Sequence, residues 1–181
     1  MPNPKLLVPK TRISVYIEDG FNLYHSTLQF SHPDCRRLNL LELSHQFINP
    51  NTEEVTEVYY FSALAEWLPS KSKKHIRYIN ALRSVGVKVI LGKFTEKDKK
   101  CPLCRGSYKT HEEKKTDINI ALAIVSGAVQ DLFDTALIMS GDSDLSPVTA
   151  IVKKLCPAKR VGIVIPQNQY AVNLKQNSDF H

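Results

Sequence analysis

The sequence predicts an α/β layered domain with a mostly parallel central sheet. Short apolar runs rich in β-branched residues alternate along the chain with segments whose apolar residues recur at helical spacing. This alternation is typical of parallel strands joined by helical crossovers. The 181 residues are enough for one domain with a sizeable core, and no internal repeat breaks the pattern.

Five strands are predicted where apolar, strand-prone runs end at turn residues. They cover residues 13–17, 55–62, 87–91, 135–139 and 161–165. The segments between them predict helices at 21–30, 38–48, 71–85, 112 or 116 to 129, 145–155 and 169–175. Gly86 is a suitable residue for the position just after the helix predicted at 71–85. Residues 1–12 hold three prolines and no period, which predicts a flexible N-terminal arm ahead of a domain at 13–181.

Positive charge is concentrated in two regions of a chain whose formal net charge is +6. Residues 70–83 and 88–115 each carry a net charge of +5, so the remainder is net −4. Two basic regions on an otherwise acidic chain indicate an anionic polymer as partner. The alternative is a solvated helix face and a lysine-rich loop. The candidate substrate-binding residues are Lys71, Lys74, Arg77, Lys114 and Lys115.

The composition predicts a cytoplasmic protein that does not enter membranes. No apolar run is long enough to span a bilayer, and the N-terminus shows no signal-peptide pattern. Four cysteines without a secretory signal favour a reducing compartment over a disulfide framework.

Acidic residues follow the predicted strands at the points where ligands bind in parallel sheets. Asp19 follows the first strand, Asp142 and Asp144 follow the fourth, and Asp117 begins a helix. Crowded carboxylates raise each other's pKa unless a cation neutralises them, and a divalent ion such as Mg²⁺ or Mn²⁺ takes oxygen ligands. The alternative for the pair after the fourth strand is a helix N-cap.

A glutamate just before Asp117 is a further candidate for this site. If the helix begins near Glu112, then Glu113 and Asp117 stand four residues apart on one helix face, which favours Glu113 over Glu112. The choice between the two glutamates stays open, because acids also stabilise a helix N-terminus.

Three motifs stand at these junctions, namely Asp19-Gly20-Phe21-Asn22, Lys115-Thr116-Asp117 and Ser140-Gly141-Asp142-Ser143-Asp144-Leu145. They resemble the motifs of NYN domains, which are PIN-like ribonuclease domains, and the match is closest to the LabA-like bacterial branch. The resemblance implies a PIN-like three-layer α/β/α sandwich and Mg²⁺- or Mn²⁺-dependent cleavage of RNA. It implies metal ligation by Asp19, Asp117 and Asp142, with Asp144 as a further acid and Asn22 as a site residue.

Two other functions compete with a metal-dependent ribonuclease. A non-catalytic RNA-binding module would keep the fold and the basic residues without the chemistry. A phosphatase of the haloacid dehalogenase type needs a second aspartate two residues after its nucleophile, and that position is Phe21 here. The RNA substrate, the mode of cleavage, tolerance of DNA and homodimerisation stay open.

A cysteine pair lies within a polar insertion at about 95–111. Cys101 and Cys104 form a Cys-x-x-Cys motif, and His111 follows seven residues after Cys104. Two thiolates and an imidazole suit structural zinc, although a tetrahedral site needs a fourth ligand. A reduced surface pair and a redox pair are the alternatives.

Overall fold

The computed structural model describes residues 9–18, 38–166 and 171–181. Its central strands are β1 (Thr11–Glu18), β2 (Glu53–Ser62), β3 (Lys88–Leu91), β6 (Thr135–Met139) and β7 (Arg160–Val164), and a separate hairpin consists of β4 (Lys93–Lys100) and β5 (Ser107–Lys114). The central sheet has the order β3-β2-β1-β6-β7, and all of its neighbouring strands are parallel. The carboxyl ends of these strands therefore meet at one edge.

Helices cover both faces of this sheet. They are α1 (Leu40–His45), α2 (Pro69–Ser84), α3 (Thr116–Val129), α4 (Ser146–Leu155) and α5 (Val172–Asn177). Val15 and Ile17 of β1 belong to a core with α1 and α2, whereas Tyr16 belongs to a second core with α3, α4 and α5. Because alternate residues of a strand face opposite sides, one strand supplies both cores. The predicted α/β fold with helices on both faces of a parallel sheet is confirmed.

Several element boundaries differ from the predicted ones for local reasons. β1 begins at Thr11 rather than residue 13, and Arg12 holds this end through hydrogen bonds to Asp134. α1 begins at Leu40 because the side chain of Asn39 accepts hydrogen bonds from the backbone N–H groups of Leu41 and Glu42. Gly86 follows α2 with a φ of +93°, as its place in the sequence predicts. Among the described residues, no helix is both long and apolar enough to cross a membrane.

The polar insertion is a regular hairpin rather than a loop. β4 and β5 pair antiparallel from Lys93 and Lys114 out to Lys100 and Ser107. Glu112 and Glu113 consequently belong to a strand, and α3 begins only at Thr116. The predicted helix at 21–30, together with Asp19 and Asn22, lies outside the described residues.

Candidate metal centre

Three carboxylates converge at the carboxyl edge of the sheet. Oxygen atoms of Glu18, Asp117 and Asp142 all lie within 4.8 Å of one another. Glu18 is the last residue of β1, Asp142 lies three residues beyond β6, and Asp117 lies in the first turn of α3. β1 and β6 are parallel neighbours, so their ends bring Glu18 and Asp142 together.

Ser140 fixes the positions of two of these acids. Its hydroxyl donates to the carboxylate of Glu18 and accepts the backbone N–H of Asp142 at 2.9 Å. Ser140 is fully buried and Glu18 is only 7% exposed, so these contacts are shielded from water. The carboxylate of Asp142 also accepts the backbone N–H of Asp144 at 2.9 Å. This chain of hydrogen bonds orders the turn after β6.

A close backbone approach positions the third acid. A Cβ atom on Gly92 would lie 2.5 Å from Thr116 Oγ1 and 2.7 Å from the carbonyl oxygen of Lys114. Only glycine therefore lets the base of the hairpin pack this closely against the start of α3. Lys115 joins the two elements with a φ of +77°, and Thr116 donates a hydrogen bond to Glu113.

The electrostatics of the cluster favour a cation. Partial burial raises the pKa of Asp117, and repulsion from Asp142 and Asp144 raises it further. Carboxylates held this close repel one another, and a divalent cation converts that repulsion into ligation. The three acids, hereafter the acidic cluster, fit a divalent cation with oxygen ligands.

The structure brings together two of the predicted metal ligands and adds one that the sequence argument missed. Asp117 and Asp142 belong to the acidic cluster, whereas Asp19 is not described and Glu18 completes the group. A signal for Glu18 was present in the period of two along β1. Glu18 stands two residues after Tyr16, which packs against α3, so its side chain faces the helix that carries Asp117.

Two other predicted catalytic acids lie beside the acidic cluster. Asp144 is close enough to raise the pKa of Asp117, but it is not one of the three grouped residues. The helical spacing that favoured Glu113 over Glu112 is wrong, because both glutamates lie in β5. Glu113 instead accepts the hydroxyl of Thr116, and Glu112 pairs with Lys97 and Lys114.

The predicted substrate-binding residues are exposed, as binding to a polymer requires. Lys71, Lys74 and Arg77 lie on the outer surface of α2, which contains no acidic residue. Lys115 is exposed directly before α3. Lys114 is also exposed, but its Nζ lies 3.1 Å from the carboxylate of Glu112, which offsets part of its charge.

The cysteine pair and His111 do not share a site. Cys101 and Cys104 lie at the tip of the hairpin, where the N–H of Arg105 donates to the carbonyl of Cys101. The strand register places His111 opposite Glu96, well away from the tip. The ring of His111 instead stacks on Trp67. The prediction that His111 joins the two cysteines is corrected, because β5 is extended between residue 107 and His111.

Comparisons with known proteins agree with this architecture. The family model described as NYN domain matches residues 12–181. A crystal structure of a protein of unknown function, VPA0982 from Vibrio parahaemolyticus RIMD 2210633, is similar in fold with a TM-score of 0.60 and 20% sequence identity. The match covers 99% of this chain and 94% of that one. A comparison with curated proteins finds no match.

Proposed function

The chain belongs to the NYN domain family, and we propose that it is a metal-dependent ribonuclease that hydrolyses RNA phosphodiester bonds. The observation that carries this proposal is the convergence of Glu18, Asp117 and Asp142 at the carboxyl edge of the sheet. Exposed basic residues on α2 and at the start of α3 support an RNA partner. The LabA-like branch and a homodimer stay predictions.

The residues of the acidic cluster have distinct roles in this proposal. The oxygens of Glu18, Asp117 and Asp142 would hold Mg²⁺ or Mn²⁺, which lowers the pKa of a bound water and stabilises charge on the attacked phosphate. Ser140 is a positioning residue, because its hydroxyl bonds Glu18 and the backbone of Asp142. Asp19 and Asn22 stay predicted members of the same site, and Asp144 is a further acid beside it.

Chelation tests the proposed chemistry directly. We expect a fluorescently labelled single-stranded RNA to be cleaved in Mn²⁺ or Mg²⁺ and to stay intact in EDTA, because the acidic cluster needs a cation to act on a phosphate. Cleavage should return when excess metal is added back. RNA binding without cleavage under any of these metals would favour the non-catalytic RNA-binding module.

We propose in addition that the tip of the hairpin binds structural zinc through Cys101 and Cys104. The backbone N–H groups of Cys104 and Leu103 donate to the Cys101 thiol and lower its pKa, which favours the thiolate that zinc binds. Both cysteines are free thiols. His111 is not part of this proposal, because the strand register places it opposite Glu96 and away from the tip.

Metal analysis of the purified protein distinguishes the ligand sets. We expect zinc in the wild type and in His111→Ala, and none in the double variant Cys101→Ser/Cys104→Ser, because both thiolates are proposed ligands and His111 is not. Loss of zinc in His111→Ala would contradict the assignment. A wild type without zinc would leave the reduced thiol pair, and a disulfide under mild oxidation would favour the redox pair.

A further inference from the structure

Trp67, the single tryptophan of the chain, is exposed although it is held by two aromatic neighbours. Its indole stacks on the imidazole of His111 with ring centroids 3.5 Å apart and planes 6° apart. The ring of Phe94 is nearly perpendicular to the indole, and the two ring centroids are 4.8 Å apart. Trp67 nevertheless stays 40% exposed. A large ring that is fixed in orientation and open to solvent resembles a prepared stacking surface more than a core residue.

The strand connections place this aromatic stack at the same edge of the sheet as the acidic cluster. Trp67 lies in the loop that follows the carboxyl end of β2, five residues beyond Ser62. The carbonyl of Ser62 accepts the N–H of Gly92, and Gly92 packs against Thr116, the residue before Asp117. Phe94 lies two residues from Gly92 on the hairpin. The stack and the third acid are therefore anchored to one tightly packed junction.

The helix that follows Trp67 along the chain exposes positive charge. α2 begins two residues after Trp67, and its first two turns expose Lys71, Lys73 and Lys74 with no acid among them. Lysines bind nucleic-acid phosphates without regard to sequence, and an aromatic ring next to them binds the face of an unpaired base. An apolar protein partner would not account for the lysines.

We infer that Trp67 is a stacking site for an unpaired nucleobase, and that the adjacent lysines hold the phosphates of the same single strand. This inference rests on the proposed function and narrows its substrate class to single-stranded RNA. Bases in a duplex already stack on their neighbours and do not offer a free face. His111 and Phe94 hold the indole in place, so little conformational freedom is lost when a base binds.

Intrinsic fluorescence tests this site alone, because Trp67 is the only tryptophan. The probes are a ten-nucleotide oligoadenylate RNA, an abasic strand of the same length and a duplex of the same sequence. All titrations contain EDTA, so the metal-dependent step does not intervene. We expect oligoadenylate to quench the fluorescence, and the abasic strand and the duplex to change it little.

Affinity measured by anisotropy of the labelled strands provides the matched comparison. Trp67→Ala should bind oligoadenylate about 5- to 150-fold more weakly than the wild type, which is the usual range for loss of one base stack. Trp67→Phe should retain most of the affinity, and Leu68→Ala, a change at the exposed neighbouring residue, should retain all of it. The abasic strand should bind the wild type and Trp67→Ala equally.

Equal binding of oligoadenylate by Trp67→Ala and the wild type would overturn the inference, as would saturation without a change in fluorescence. Loss of affinity for the abasic strand in Trp67→Ala would also overturn it, because that loss would come from damage to the basic surface. The proposed function is judged separately by cleavage in Mn²⁺ or Mg²⁺. An enzyme that cleaves RNA but binds it independently of Trp67 would refute the stacking site alone.

Discussion

Asp142→Asn is expected to lower the rate of metal-dependent RNA cleavage by at least about 100-fold, because loss of an outer partner of a metal ligand already costs about 10- to 100-fold. The substitution is nearly isosteric. The side-chain oxygen of asparagine can still accept the N–H of Asp144, the bond that orders the turn after β6 in the wild type. The change therefore removes a negative charge from the acidic cluster and leaves the local hydrogen bonding in place.

The control for this prediction removes a negative charge at the amino-terminal ends of the strands, away from the acidic cluster. Glu54 is exposed near the start of β2, paired in register with Arg12 at the start of β1, and Glu54→Gln should cleave RNA at the wild-type rate. Initial rates on a labelled single-stranded RNA in saturating Mn²⁺ give the comparison. Cleavage that persists in Asp142→Asn would show that the activity comes from another site or from a contaminant.

The order of strands and helices could be predicted from sequence because the core-forming residues dictate it. The run Thr135–Met139 is buried throughout, which is typical of an interior strand of a parallel sheet. The hairpin could not be predicted in this way. β4 carries charged residues on both faces and is mostly exposed, so it shows no apolar alternation. β4 is held in place by its backbone hydrogen bonds to β5, and a hydrophobic pattern does not reveal such pairing.

The candidate site shows the same division between local pattern and tertiary packing. Asp117 and Asp142 could be placed at one edge because each stands at a junction that the pattern defines. Glu18 follows from the period of two along β1 only once Tyr16 is known to face α3, and that contact is a product of tertiary packing. The separation of His111 from the cysteines follows from the extension of β5, which a Cys-x-x-Cys motif does not reveal. Trp67 had no signal in the sequence, since its stack joins a loop to a distant hairpin.

Asp117→Asn is expected to have opposite effects on activity and on the stability of the metal-free protein. RNA cleavage should fall by at least about 100-fold, because loss of a residue that only supports a metal ligand already costs about 10- to 100-fold. The melting temperature without metal should rise at pH 7, because burial and the repulsion of Asp142 and Asp144 disfavour the charged form of Asp117 in the folded state. A neutral amide at this position avoids that repulsion.

The pH dependence follows from the direction of the pKa shift. The pKa of Asp117 lies above its ordinary value of 3.8 in the folded protein. Below that ordinary value the carboxyl is protonated in both states and costs nothing. As the pH rises from there through the raised pKa, the folded state gives up a proton that it holds more tightly than the unfolded chain, and the wild type loses stability. The gap in melting temperature between Asp117→Asn and the wild type should therefore open with rising pH and stay constant above the raised pKa.

Added metal should reverse the order of stability. A cation that binds only the folded state raises its melting temperature, so Mn²⁺ should stabilise the wild type and have a much smaller effect on Asp117→Asn. Differential scanning calorimetry with EDTA and with Mn²⁺ measures both arms, and Asp98→Asn, at an exposed acid of the hairpin, is the control that should show neither effect. A lower melting temperature of Asp117→Asn in EDTA would mean that Asp117 contributes to folding without a cation. The acidic cluster would then stabilise the folded protein by itself, and it would not be a metal site in which the carboxylates repel one another until a cation binds.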